Sequence, residues 1–324
     1  MGGTWRIPVL MGLLDKTFIK DLKLDGTFNE ASFGREYESI WSGTVEDAFF
    51  NGDQFDHNRI LRQPEYEGSG RSTKNTYYII SVDVGRRGCD TVACVFKVNP
   101  QTTGLAFISL VNMYTYSDMH FEDQAIKLKK LYYKYKARRM VIDGNGLGIG
   151  LVDYFVKAQT DPETGAVLPD FGVENDNELD NEYKRFRSEN CEENALWIIK
   201  ANAPLNTEVH SNVQSEMSAG HVKFLIDERV AKNKLLSTKR GQDMKPEERA
   251  EYLKPFTLTS ILKEEMMNLR EENEGVNIIL KQANKGIKKD KFSAFEYGLY
   301  YIKLEEDKRR KRKKRSFSDM LFIN

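Results

Sequence analysis

The first strongly patterned stretch of this chain is residues 77–85, YYIISVDVG, an apolar run that predicts a buried strand ending on Asp83. VACVFKVN (92–99) and LAFISLVNMY (105–114) follow across short turns, one at Gly88-Cys89-Asp90 and one between Asn99 and Gly104. Three strands joined by short loops predict an antiparallel meander. The period then changes: FEDQAIKLKKLYYKYKA (121–137) places Phe121, Ala125, Leu128, Leu131 and Tyr132 on one helical face. RRMVIDGNG (138–146) returns to a strand closing on Asp143 and a glycine-rich turn, LGIGLVDYFVKA (147–158) reads as a helix, and NALWIIKAN (194–202) as the next strand. Downstream, 204–220 reads as a helix, 221–227 as a short strand, 257–272 as a helix, 277–284 as a strand and 291–307 as the last helix. This alternation predicts an α/β fold with a mixed sheet flanked by helices.

Around that core the pattern weakens. Residues 1–63 read as an appendage with strand-like and helix-like pieces, and PEYEGSGRSTKNT (64–76) as a flexible linker. The main domain is then 77–305, with a basic tail over 306–324. Residues 161–190 hold nine acidic and three basic side chains, which reads as a solvated insertion. The charged stretch 228–255 reads equally as a mobile loop over a ligand or as a solvated excursion. Low complexity and internal repeats are absent.

The chain has 324 residues, 40% hydrophobic and 30% charged, which suits a globular protein and excludes a disordered or fibrous one. No run of 18 apolar residues occurs, and MGGTWRIPVL does not resemble a secretory signal, so neither membrane spanning nor secretion is expected. Cys89, Cys94 and Cys191 are too few and too scattered for a disulfide framework or a zinc cluster, and a reducing, cytosolic setting is expected. Net charge is zero, but residues 308–315 read KRRKRKKR. Without those eight cations, 41 basic residues face 49 acidic ones. A polyanion must therefore meet local basic patches or the tail, since the body offers no bulk positive field.

Three carboxylates stand out by position. Asp83 and Asp143 end strands, and Asp290 opens the final helix. Carboxylates beside irregular loops suit Mg²⁺ or Mn²⁺, hard cations that take oxygen ligands. Two such ions stabilise the attacking and leaving oxygens of a phosphodiester displacement, a chemistry that needs converging acids and no nucleophilic side chain. Each Asp alone also reads as a helix N-cap or turn former, and Asp290 suits its helix start well.

The order of elements, with an acid on the first and fourth strands and another on a late helix, resembles the ribonuclease H-like nuclease fold. ISVDVGRRGCDTVACVFKV (80–98), MVIDGNGLGIGLVDYF (140–155) and KKDKFSAFEYGLYYI (288–302) resemble the nuclease domain of the large terminase subunit of tailed bacteriophages. FGREYESIWSG (33–43) resembles the segment joining that family's ATPase and nuclease domains, so the likeness spans about residues 30–305. It implies a metal-dependent endonuclease that cuts concatemeric viral DNA during genome packaging. Asp83, Asp143 and Asp290 would be the catalytic acids and the ligands of a two-metal Mg²⁺ or Mn²⁺ site. Asp90 is either a hairpin-turn residue or an auxiliary metal position, and Asp153 reads as a surface or capping acid. The implied partners are double-stranded DNA, the portal protein, the terminase small subunit and a terminase ATPase domain supplied in trans or missing from this chain. No membrane is implied. The implied location is the host cytoplasm, transiently at the procapsid portal vertex.

One departure from the full-length family is plain. No G-x-x-x-x-G-K-[ST] occurs, and GSGRST (68–73) lacks the lysine a P-loop places on phosphate. A split or truncated gene product is the expectation. Basic residues flank two of the acids: Arg86 and Arg87 after Asp83, and Lys285, Lys288, Lys289 and Lys291 around Asp290. Of these, Arg86, Arg87, Lys288, Lys289 and Lys291 are the candidate DNA contacts. DGNGLGIG is out of register for a dinucleotide fingerprint, and its glycines read as room for backbone and DNA beside the metals. His57, His120, His210 and His221 follow no ligand spacing and read as structural or surface residues, as Trp41 and Trp197 read as packing residues. The tail reads as a polyanion contact, and Phe317, Met320, Leu321 and Phe322 after it as a short portal-docking helix. Two alternatives stay open: another ribonuclease H-like nuclease such as a resolvase or transposase, against which FGREYESIWSG argues, and a non-catalytic docking module of the packaging motor.

Overall fold

The computed structural model describes residues 5, 9–15, 17–19, 48–69, 76–85, 89–101, 105–274 and 276–321, without the side chains of 273, 274 and 312–321. FGREYESIWSG, Arg86 and Arg87 lie outside the described residues. The elements are α1 (Gly52–His57), β1 (Arg59–Leu61), β2 (Tyr77–Asp83), β3 (Thr91–Asn99), β4 (Phe107–Tyr116), α2 (Phe121–Tyr135), β5 (Arg139–Asp143), α3 (Leu147–Phe155), β6 (Gln159–Thr160), β7 (Val167–Leu168), β8 (Phe171–Val173), β9 (Glu192–Ile199), α4 (Ala203–Ser218) and β10 (Val222–Leu225). They continue as α5 (Glu228–Leu236), α6 (Lys239–Asp243), α7 (Pro246–Met267), β11 (Leu269–Glu274), β12 (Asn277–Gln282) and α8 (Asp290–Leu321).

Eight strands form one mixed sheet in the order β1-β10-β4-β3-β2-β5-β9-β8. β3 is antiparallel to β2 and β4, and every other pairing is parallel. The meander, the helical crossover through α2 and the parallel strand beside β2 give the mixed α/β sheet flanked by helices expected from the sequence. Two further hairpins, β6–β7 and β11–β12, stand apart from this sheet. Among the described residues no helix is long and apolar enough to cross a membrane.

Strand parity decides which face each side chain serves. On β2, Tyr78, Ile80 and Val82 pack with Leu128, Leu131, Leu151 and Val152 of α2 and α3. Tyr77 and Ile79 pack instead with Val209, Leu262, Phe292 and Phe295 of α4, α7 and α8. β5 obeys the same rule, with Met140 and Ile142 on the first face and Val141 on the second. Asp83 and Asp143 share the parity of Ile79 and Val141, so both leave the sheet on the side that α8 covers.

α8 lies unusually close to that face. A Cβ on Gly298 would stand 2.4 Å from the Phe96 ring and 2.7 Å from Ser81 Cβ, so only glycine permits this helix–sheet distance. Phe295 stacks on Phe96 a turn earlier, at a centroid distance of 5.8 Å.

Five sequence expectations change. Residues 48–63 belong to the main fold: β1 pairs with β10, Phe55 stacks on Phe224 at 4.1 Å, and Arg59 donates to Leu225 O and Ser260 Oγ. The linker also docks in part. Glu65 N–H donates to Val111 O, its carboxylate takes Tyr78 Oη and Lys97 Nζ, and Gly68 N–H donates to Lys134 O. Residues 161–190 supply β8 at the sheet edge, because their polar groups are bonded internally. Asp170 accepts from Ser188, Asn175 bonds β9 through Ile198, and buried Lys129 donates to Lys157 O and Pro169 O. The charged stretch 228–255 is helical, forming α5, α6 and the start of α7 around Leu235, Leu253 and Phe256. The last helix also departs from its expected end at residue 307, since α8 continues without a break to Leu321.

Two substitutions check this packing. Gly298→Ala forces α8 off the sheet, and overpacking of that kind costs about 1–3 kcal/mol. Phe55→Ala opens the stack on Phe224 at a cost of about 3–5 kcal/mol if residues 48–63 are integral to the core. Urea unfolding measures both, and an unchanged midpoint for Phe55→Ala would return residues 48–63 to the status of an appendage.

Candidate active site

β2 and β5 are parallel neighbours whose register pairs Val82 with Ile142. One residue further, Asp83 and Asp143 stand at the same level on strands about 4.8 Å apart. The chain leaves each strand sharply. After β2, Thr91 Oγ1 accepts Gly85 N–H (2.9 Å) and donates to Gln124 Oε1 (2.7 Å), while Gln124 Nε2 donates to Gly85 O. That buried network fixes the loop following Asp83, and sequence reading offered no signal for it. After β5, Asp143 Oδ1 accepts Asn145 N–H at 2.9 Å. Gly146 takes φ +56°, and a Cβ on Gly148 would fall 1.6 Å from Asp143 O. These glycines thus turn α3 tightly back onto the strand end, a role internal to the protein.

Asp290 arrives from the other side. Ser293 N–H donates to Lys289 O (2.9 Å), so Asp290 is the first residue inside α8, where a negative charge is favoured by the exposed amides. Its Oδ2 is buried and accepts no hydrogen bond. Asp83 senses the other two carboxylates. Burial first, then the charges of Asp290 and Asp143, pushes Asp83 up to about 8. Asp143 and Asp290 are also raised by burial, with Asn145 opposing at Asp143 and Lys288 and Lys291 opposing at Asp290.

Among the described residues, no three acidic, histidine or cysteine side chains stand close enough to form a ready-made metal cage. The donor set nevertheless fits a hard divalent ion: oxygen-only ligands, half-buried, mutually repelling, with one carboxylate oxygen lacking any partner.

The flanking residues divide. Asp90 accepts Ser117 Oγ–H (2.6 Å) and lies 3.6 Å from Lys288 Nζ, tying the β2–β3 turn to the loop before α8. Lys288 and Lys289 are exposed beside the acids, and Lys285 is exposed further back. Lys291 is not at the surface as a DNA contact would require: it is buried, 3.3 Å from Glu265 Oε1. Asp153 is exposed on α3. His210 is a core residue, its Nδ1 2.7 Å from the buried carboxylate of Glu296. Glu265 and Glu296 were not singled out in the sequence, because each owes its place to a partner on another helix.

No protein-family model matches this chain, and no curated protein is similar to it. Among solved structures it is similar to the large terminase nuclease of thermophilic phage G20c with bound magnesium, at 14% identity and TM-score 0.44, over 79% of this chain and 98% of that one. It is similar to the nuclease domain of Thermus phage P74-26 large terminase at 14% identity and TM-score 0.40, over 76% and 92% of the two chains. The HK97 bacteriophage large terminase is similar at 8% identity and TM-score 0.42, over 78% of this chain and 43% of its own.

The acid cluster sets a pH dependence. Asp83 keeps its proton in the folded chain up to about 8, whereas its ordinary value is 3.8. The folded state therefore holds more protons than the unfolded one between these limits. Its contribution to stability is full below about 4 and is lost as pH rises through about 8, with Asp143 and Asp290 acting in the same direction. In EDTA the melting temperature should fall as pH rises across this window, and Asp83→Asn should flatten the slope. Equal slopes for the two proteins would remove Asp83 as its source.

Proposed function

We propose that this chain is a divalent-metal-dependent DNA endonuclease that cuts concatemeric viral DNA during genome packaging. The observation that supports the reading is the side-by-side placement of Asp83 and Asp143 at one sheet end, on the face covered by α8, with Asp290 near enough to raise the proton affinity of Asp83. The three stretches resembling the terminase nuclease and the one resembling its joining segment, in that family's order, support the viral substrate.

Asp83 lies on a central strand and is influenced by both other acids, and together with Asp143 and Asp290 it would hold Mg²⁺ or Mn²⁺. When bound, the ions supply charge stabilisation for the oxygens that attack and leave in phosphodiester hydrolysis. The protein's own part is to hold these carboxylates on rigid strand and helix ends and to offer Lys288 and Lys289 to the phosphates of an approaching strand. Arg86 and Arg87, from the turn after Asp83, join that role by sequence. The basic run at the far end of α8 gives double-stranded DNA a second, sequence-independent contact. The portal, the small subunit, an ATPase partner and a position at the procapsid portal vertex follow from the packaging role.

One observation favours a second reading: the acids do not form a closed metal cage on their own, as a non-catalytic docking module would also allow. Plasmid cleavage with Mn²⁺, Mg²⁺ or EDTA separates the two. Metal-dependent linearisation or degradation is expected at about millimolar metal, because loosely grouped acids bind weakly until phosphate adds ligands. Asp83→Asn should lower the rate about 100-fold or more, the scale of losing one preorganised charge-stabilising group. A folded protein that cuts with neither metal favours the docking module.

A further inference from the structure

We infer that Glu265, a residue of α7 outside the acid trio, positions Asp290 for metal binding by holding the first turn of α8. The inference rests on the metal-dependent nuclease reading above. A helix start leaves several backbone N–H groups without intrahelical partners, and a side-chain oxygen just before the helix commonly satisfies one of them. α8 has no such local device, because the residue before Asp290 is Lys289, which carries no side-chain oxygen. The oxygen comes instead from α7. Glu265 Oε2 accepts Phe292 N–H at 2.9 Å, and Glu265 Oε1 lies 3.3 Å from Lys291 Nζ. Lys291 and Phe292 are the two residues directly after Asp290, so one carboxylate grips both neighbours of the proposed ligand on its helical side.

Glu265 is 1% exposed and the Lys291 side chain 7%, which makes this a buried contact that water cannot replace. α7 is itself pinned. Lys263 pairs with Asp56 of α1 at 2.5 Å, and Ser260 Oγ accepts from Arg59 of β1. Removing the Glu265 carboxylate leaves an amide and an ammonium buried without their partner, and the turn that carries Asp290 is then free to shift. Outer partners of metal ligands typically matter by roughly 10–100-fold in metal affinity. Glu265 is thus a positioning residue that meets neither metal nor DNA.

The test uses the full chain and Mn²⁺ as the probe, with bound metal measured from the loss of the free Mn²⁺ resonance signal. Glu265→Ala should bind Mn²⁺ about 10–100-fold more weakly. Glu265→Gln, which keeps an acceptor for Phe292 N–H but not the charge facing Lys291, should fall between it and the unsubstituted chain. In plasmid cleavage the half-saturating Mn²⁺ concentration should rise in parallel, while the rate at saturating Mn²⁺ recovers. If Glu265→Ala fails to fold, Glu265→Leu combined with Lys291→Met removes the pair without stranding a charge, and it should bind Mn²⁺ at least about tenfold more weakly. A folded variant of either kind with unchanged Mn²⁺ affinity overturns the inference. Asp83→Asn, titrated alongside, separates the two failures. Affinity lost there but kept in the Glu265 variants overturns the positioning role alone, whereas no Mn²⁺ uptake by the unsubstituted chain overturns the metal-site reading beneath it.

Discussion

The close seating of α8 on the sheet is the constraint on which the acid cluster depends. Strand parity sends Asp83 and Asp143 toward one face, but a third carboxylate reaches them only if a helix starts above the ends of β2 and β5. Gly298 permits the approach by leaving the space that Phe96 and Ser81 fill, and Phe292 and Phe295 bury the contact among the core residues. The same burial that fixes the helix strips water from the carboxylates. Their raised proton affinity follows directly, and so does a demand for positive charge that no neighbouring lysine meets in full.

The lysines around Asp290 illustrate how helix geometry sorts like residues into unlike roles. Lys288 and Lys289 precede the helix on an irregular loop and are exposed beside the acids, with Lys288 also 3.6 Å from Asp90. Lys291 stands inside the first turn, where it is buried against Glu265. A cation in the loop can meet a phosphate, and one in the first turn serves the fold. With acids in excess over the body of the chain, the exposed loop cations and the basic end of α8 are the features that oppose repulsion of a polyanion.

Much of the core was legible in the sequence because it is written in local periodicity. The apolar run before Asp83, the helical face of 121–137 and the glycine turn after Asp143 each specify an element from adjacent residues. The losses share a physical cause. RIL at 59–61 is too short to carry a period, and it becomes a strand only by pairing with residues 224 and 225 far along the chain. The acidic stretch 161–190 looked solvated because composition does not reveal that Asp170, Asn175 and Asp176 are bonded internally. The charges of 228–255 hid helices whose apolar contacts, Leu235, Leu253 and Phe256, are sparse and come from separate segments. Within the site, Asp83 and Asp143 were legible as strand-end acids, whereas Asp290 was equally readable as a helix cap until the resemblance favoured it.

The placement of Asp290 is therefore a tertiary property. Its helix has no cap of its own, and the group that holds the first turn belongs to α7, which is fastened through Lys263 to α1 and through Ser260 to β1. Met267 of the same helix packs against Gly52, where a Cβ would stand only 3.0 Å from its sulfur. Residues 48–61 and the last of the three acids thus lean on one helix from distant parts of the chain. Strands fix two of the carboxylates locally, through hydrogen bonds that neighbouring strands share. The third depends on α7 standing where residues 48–61 hold it, which ties the geometry of the candidate site to a part of the chain that contributes none of the three acids.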